Sequence, residues 1–315
     1  MNFLISLFLL FILMWMGIKS INFFKLADRY LSRKFKANGL QLQSYTNKEG
    51  STLSYWMGGN GPSLVLIHGF GAPAKFQLDR QLKALVQSYH LIIPNLLYFG
   101  QSKANNQDFS PDYQAQCIAQ LLTEDLDLKT FHVVGISYGG VVAVMLANTL
   151  ADKIQKLGIC DSPIRFFTDQ HIENSLKKFK ISSIESLLVP DLPKALVGLS
   201  SIAFHKPLPI PSFVLKDTFD GLVVPHAAEK KALLRYLFEH RTELSALTFN
   251  FKCPILLVWG EFDALIPNEI GQKLLDYFGE EQAQLHIIPN AAHMPNLEQS
   301  KAFNKVLTRF LKSPD

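Results

Sequence analysis

At 315 residues the chain has room for one large domain or two small ones, and its 48% apolar and 18% charged residues describe a folded protein with an added apolar segment. A net charge of only +4 gives a nucleic-acid partner no electrostatic footing. The three cysteines, Cys117, Cys160 and Cys253, are scattered, with no C-x-x-C or zinc spacing, and read as buried thiols rather than a disulfide framework.

The first expected element is apolar. Residues 3–18 are interrupted only by Ser6 and Gly17. As a helix they would span about 24 Å, a little under a hydrocarbon core. No basic n-region precedes them, and no small-x-small cleavage site is evident before Lys19. Residues 1–20 are therefore expected to be a retained membrane anchor; export after signal cleavage is the alternative. Residues 21–39 follow as a basic amphipathic juxtamembrane segment. Lys25, Arg29, Arg33 and Lys36 fall on one helix face, with Phe24, Ala27, Leu31 and Phe35 near the other. Such a face suits anionic lipid headgroups, and the positive-inside rule puts it, with the rest of the chain, on the cytoplasmic side. The plainer reading is a solvated helix packed on the domain.

Residues 40–46 and 52–57 alternate across Asn47-Lys48-Glu49-Gly50 and predict a hairpin. Strands then alternate with helices: strand 63–68, helix about 76–88, strand 90–95, helix about 111–125, strand 131–136, helix 139–150, strand 155–161. This order predicts a mostly parallel sheet covered on both faces. The alternation stops near Ser162 and resumes at Pro254, a gap too long for a loop. Residues 186–201 and 228–247 carry helical patterns, with prolines at 207, 209 and 211 between them. Strands return at 253–260 and 284–289.

The chemistry sits where strands end. Gly135-Ile136-Ser137-Tyr138-Gly139 links a β-branched strand to a helix, the context in which G-x-S-x-G is a nucleophile elbow. The turn strains Ser137, and residues without Cβ let strand and helix pass closely. Strand 63–67 ends in His68-Gly69-Phe70-Gly71, an oxyanion-loop pattern; the candidate donors are the backbone N–H groups of Phe70 and Tyr138. Glu261-Phe262-Asp263 follows one C-terminal strand and Asn290-Ala291-Ala292-His293 the next. Ser137, Asp263 and His293 thus occur in the chain order nucleophile, acid, base. Asp161, at the end of strand 155–161, is the runner-up acid. His132 and His286 sit in strand patterns and read as structural. No H-x-H, H-E-x-x-H, phosphate loop or dinucleotide fingerprint occurs, so neither metal nor cofactor is implied.

In these phrases the chain resembles serine hydrolases of the α/β-hydrolase superfamily over residues 40–311. The phrases run in order: His68-Gly69-Phe70-Gly71, Pro94 through Ser102, the elbow, Trp259 through Asp263, and Ala292-His293. It is most similar to bacterial lipases and esterases and to monoacylglycerol-lipase-like members, several of them membrane-anchored. One departure is Asn95, where the family usually has a mostly structural Asp. The resemblance implies an α/β-hydrolase fold with a core of residues 40–162 and 253–315 and a cap insertion at 163–252. Leu187, Leu188, Leu196, Leu199, Ile202, Phe204, Phe213 and Phe219 of that insertion are candidates to line an acyl pocket. It implies a carboxylic-ester hydrolase (lipase/esterase) acting on lipid-like esters such as monoacylglycerols, through an acyl-enzyme on Ser137. Two other readings are C–C bond hydrolysis on the same fold and a non-catalytic scaffold; an anchor argues against the first and a complete triad against the second.

Overall fold

The computed structural model describes residues 21–207, 209–249 and 251–314. β1 (Gln41–Thr46) and β2 (Thr52–Gly58) form the hairpin, followed by β3 (Ser63–Ile67), β4 (His90–Pro94), β5 (Phe131–Ile136), β6 (Ile154–Cys160), β7 (Ile255–Gly260) and β8 (Ala283–Ile288). They make one sheet in the order β1-β2-β4-β3-β5-β6-β7-β8. β2 runs antiparallel to β1 and β4, and the remaining neighbours are parallel. This is the mostly parallel α/β sheet that the sequence predicts.

A parallel sheet is stable only with both faces covered, and the side chains divide accordingly. Val65, Ile67, Val133, Leu257 and Trp259 enter one core, with Val141, Leu146 and Leu274 from the helices Tyr138–Thr149 and Asn268–Phe278. Leu64, Leu66, Val134, Ile136, Leu256 and Val258 enter the other, under Leu82, Phe303 and Leu307. From β3 the chain passes to β4 on one side, while β5 lies on the other. The crevice beyond the C-terminal ends of β3 and β5 is therefore the topological switch point, where open α/β sheets bind ligands.

Several expected helices are divided, each for a local reason. The run at 76–88 is two short helices, Ala74–Leu78 and Leu82–Leu85. Between them Asp79 pairs with Lys34 at 2.6 Å, and the Gln81 amide donates to Asn296 O at 2.8 Å. The run at 186–201 is likewise split, into Ile184–Leu188 and Leu196–Ala203, because Pro190 and Pro193 have no N–H to continue a helix. The pattern at 228–247 breaks at His240 into Ala227–Glu239 and Arg241–Ala246. Helix Asp169–Phe179 was not expected, although Thr168 and His171 form a capping box at its start. Cys117, Cys160 and Cys253 are free and buried.

The helix Phe23–Ala37 straps the outside of the sheet. Phe24, Leu31 and Phe35 turn inward as expected, but Ala27 is exposed. Lys25, Arg29, Arg33 and Lys36 lie on the outer face beside Leu26 and Tyr30, which are 56% and 63% exposed. Phe23 N–H donates to Asp217 Oδ2 at 2.7 Å, and Phe24 stacks on Phe76 at 5.4 Å. The expected anchor at residues 1–20 lies outside the described residues. Among those described, no helix is long and apolar enough to cross a membrane.

Candidate active site

Ser137 sits between β5 and the helix Tyr138–Thr149 with φ 53° and ψ −121°, a conformation that strains any side-chain-bearing residue. Two glycines permit it by close approach. A Cβ on Gly135 would lie 2.2 Å from Gly139 O, and one on Gly139 would lie 2.3 Å from His68 O. The elbow is also tied from the side. Ser137 N–H donates to Cys160 O at 2.7 Å, and the Ser162 hydroxyl donates to Ser137 O at 2.7 Å.

Three loops bring the expected residues together. Ser137 Oγ lies 2.9 Å from His293 Nε2, and His293 Nδ1 lies 2.7 Å from Asp263 Oδ2. A carboxylate only accepts, so Nδ1 carries the proton and Nε2 is left to accept from the Ser137 hydroxyl. Asp263 is itself held: its Oδ1 accepts the N–H groups of Leu265 at 2.9 Å and Ile266 at 3.0 Å. Asp263 and His293 are both buried, at 6% and 7% exposure, so their bond is shielded from water.

The loop after β3 lies against the nucleophile. A Cβ on Gly69 would come within 3.2 Å of Ser137 Cβ. His68 and Gln77 fix this loop. Leu96 N–H donates to His68 Nε2 at 3.0 Å, which leaves Nδ1–H to donate to Gly69 O at 2.7 Å. Burial pushes the His68 pKa down to about 4, in keeping with this neutral ring. The Gln77 amide accepts from Gly69 N–H at 3.0 Å and donates to Gly69 O at 2.8 Å and Ala72 O at 2.7 Å. Phe70 thus lies on a braced loop beside Ser137, and Tyr138 begins a helix, where its N–H has no intrahelical acceptor. Sequence reasoning missed the bracing by Gln77 and Ser162; no spacing rule marks either residue.

Asn95, at the position where the family usually has Asp, is buried and hydrogen-bonded. Its Oδ1 accepts from Ala74 N–H at 2.9 Å, and its Nδ2 donates to Ser54 Oγ at 2.9 Å. Asp161 does not contact His293 in the way Asp263 does; it lies behind Asp263 at the end of β6. His132 and His286 lie on β5 and β8, away from the relay.

Ser137 and His293 open into a cavity of about 190 Å³. Its walls are Phe70 and Phe76 from the sheet side, Leu188, Leu199, Ile202 and Phe204 from the helices between β6 and β7, and Leu222 and Leu265. Four of the eight candidate acyl-pocket residues are therefore present. Leu187 and Leu196 instead pack into the interior, Phe213 is exposed beside Phe23 at 5.1 Å, and Phe219 packs on the cluster around Leu215.

The profile of the alpha/beta hydrolase family matches residues 64–306. "Lipase 1" of Psychrobacter immobilis is 28% identical over 281 residues, spanning 85% of this chain and 85% of its own. "Monoacylglycerol lipase ABHD6" of Bos taurus is 26% identical over 261 residues, spanning 81% and 77%. The crystal structure of "a membrane phospholipase A, a novel bacterial virulence factor" superposes with a TM-score of 0.75 at 21% identity, covering 98% of this chain and 97% of that one. At that identity the superposition speaks for the fold alone.

Proposed function

The chain belongs to the alpha/beta hydrolase family, and from that premise we propose that it is a carboxylic-ester hydrolase of the lipase/esterase type, acting on lipid-like acyl esters such as monoacylglycerols. The observation that carries this reading is the relay Ser137–His293–Asp263, at 2.9 and 2.7 Å, opening into an apolar cavity. His293 Nε2 takes the Ser137 proton as Oγ attacks the ester carbonyl. Asp263 orients the ring and stabilises its imidazolium form. The N–H groups of Phe70 and Tyr138 receive the oxyanion, each contributing about 3 kcal/mol. His293 protonates the departing alcohol, and an acyl-enzyme remains on Ser137. Water activated by His293 then releases the acid. The relatives named as lipases and monoacylglycerol lipases favour acyl esters over other substrates of the same fold.

Residues 163–252 are the cap over a core of residues 40–162 and 253–315. In support, Leu188, Leu199, Ile202 and Phe204 of that segment roof the cavity. Its volume of about 190 Å³ and apolar walls suit a short or medium acyl chain. Residues 1–20 anchor the enzyme, and the outer face of Phe23–Ala37 rests on anionic headgroups with the catalytic domain facing the cytoplasm. The exposed Lys25, Arg29 and Arg33 beside Leu26 and Tyr30 support this, since cations and an apolar fringe together suit an interfacial helix.

Turnover of p-nitrophenyl esters of rising chain length, alongside monoacylglycerol release, tests the enzymatic reading. Turnover that rises to medium chains and falls beyond is expected. No ester turnover by a folded preparation would contradict it. Flotation with phosphatidylserine vesicles tests the membrane reading: full-length protein should float, its Lys25/Arg29/Arg33→Ala variant should float less at low salt, and high salt should shrink the difference.

A further inference from the structure

Asp161 is fully buried, yet among the described residues its Oδ2 finds no donor. Its Oδ1 accepts Gly260 N–H at 2.8 Å, and its own N–H donates to Val258 O at 3.0 Å. The backbone is pinned in the left-handed region, with φ 46°. This aims the carboxyl into the catalytic cluster, where ligand atoms of Asp161, Asp263 and His293 come within 4.8 Å of one another.

Two carboxylates side by side and out of water repel, so such a pair retains a proton. The hydrogen bonds decide which member holds it. Asp263 accepts three donors: Leu265 N–H, Ile266 N–H and His293 Nδ1–H. Asp161 accepts one. Donors stabilise the charged form, so the charge belongs on Asp263 and the proton on Asp161. A proton on Oδ2 also gives that orphaned atom a bond to make.

We propose that Asp161 works as a neutral carboxylic acid whose Oδ2–H donates to the Asp263 carboxylate, making it a positioning residue that holds Asp263 against His293. Burial first, and then the neighbouring Asp263 charge, push the Asp161 carboxyl well above the usual carboxylate range, against a single pull downward from Gly260 N–H. The titratable groups facing it are Cys160 from β6, Asp263 from the loop after β7 and His293 from the loop after β8. Burial likewise pushes the Cys160 thiol up, so it adds no charge. Asp161 touches neither substrate nor Ser137. It acts through Asp263, by spreading that carboxylate's charge and so moderating the basicity it confers on His293.

The inference rests on the proposed roles of His293 and Asp263, and Asp161→Asn and Asp161→Leu separate its failure from theirs. An Asn keeps the acceptor for Gly260 and supplies an N–H in place of Oδ2–H. The kcat/KM of Asp161→Asn should stay within about three-fold of the parent, with the acid limb of its pH profile unmoved. Asp161→Leu should lose activity, and its acid limb should move to higher pH, because an Asp263 carboxylate without that donor holds the imidazolium form more strongly. An acid limb in Asp161→Asn displaced downward by about one pH unit or more would mean that a negative charge had been removed, and would overturn the proposal. Wild-type rates and profile in Asp161→Leu would overturn it equally. Infrared difference spectra of the parent minus Asp161→Asn give an answer that needs neither the Leu variant nor ester turnover. A protonated carboxyl stretch at mildly alkaline pH is expected; a carboxylate pair of bands in its place would contradict the proposal.

Discussion

Two glycines, one at the sheet edge and one in the helices above it, meet opposite surroundings. A Cβ on Gly139 would lie 2.3 Å from His68 O, whereas one on Gly198 would meet nothing closer than Leu187 Cδ1 at 4.0 Å. The edge is built by backbone passing backbone, with Ser137 held strained between β5 and its helix and Gly69 pressed against it. The overlying segment is broken at Pro190, Pro193 and His240 and held by side-chain packing. The region that would make and break bonds is thus fixed by contacts that tolerate one geometry. The region that would choose the acyl chain is fixed by contacts that many side chains satisfy.

Variants can break this contrast or sharpen it. Ser137→Ala should lower kcat by a factor on the order of 10⁶ with the melting temperature little changed, because nucleophile, base and acid act as a unit. Steady-state kinetics on a preparation free of host esterase checks it. Asp263→Asn should cost about 10⁴ in kcat, since an amide favours the wrong His293 tautomer. That loss should far exceed the one in Asp161→Asn, and the reverse ranking would move the acid to β6. Gly139→Ala should destabilise the fold by about 3 kcal/mol in urea unfolding, because no flexible side chain can yield to the new methyl. Gly198→Ala, inside helix Leu196–Ala203, should instead gain about 0.5–1 kcal/mol from the smaller backbone entropy of its unfolded state. Equal effects at the two glycines would erase the distinction between the regions. Leu199→Phe should narrow the cavity and lower kcat/KM on medium-chain esters by about ten-fold while sparing acetate.

The same contrast sets what could be read in advance. The elbow was legible because its strain and close approaches demand Gly at 135 and 139, and few turns need both. Asp263 and His293 were legible because each follows a strand, β7 buried throughout and β8 at the sheet edge, and the sheet brings such ends together. Gln77 was not legible: its amide braces Gly69 and Ala72 from a short helix, and any polar side chain of similar reach leaves the same mark in a sequence. Helix Asp169–Phe179 was missed for a related reason, since it exposes most of its surface and only Ser175 is buried. Four of the eight apolar residues singled out for the acyl pocket turn elsewhere, because hydrophobicity marks burial and not which wall a side chain joins.

The central claim is that Ser137 is the nucleophile of an acyl-transfer site, and active-site titration with a fluorophosphonate tests it most directly. Full-length protein should take up one equivalent of label, with the adduct mapping to the peptide containing Ser137, and Ser137→Ala should take up none. An unlabelled parent protein, or an adduct carried by another serine, would contradict the account.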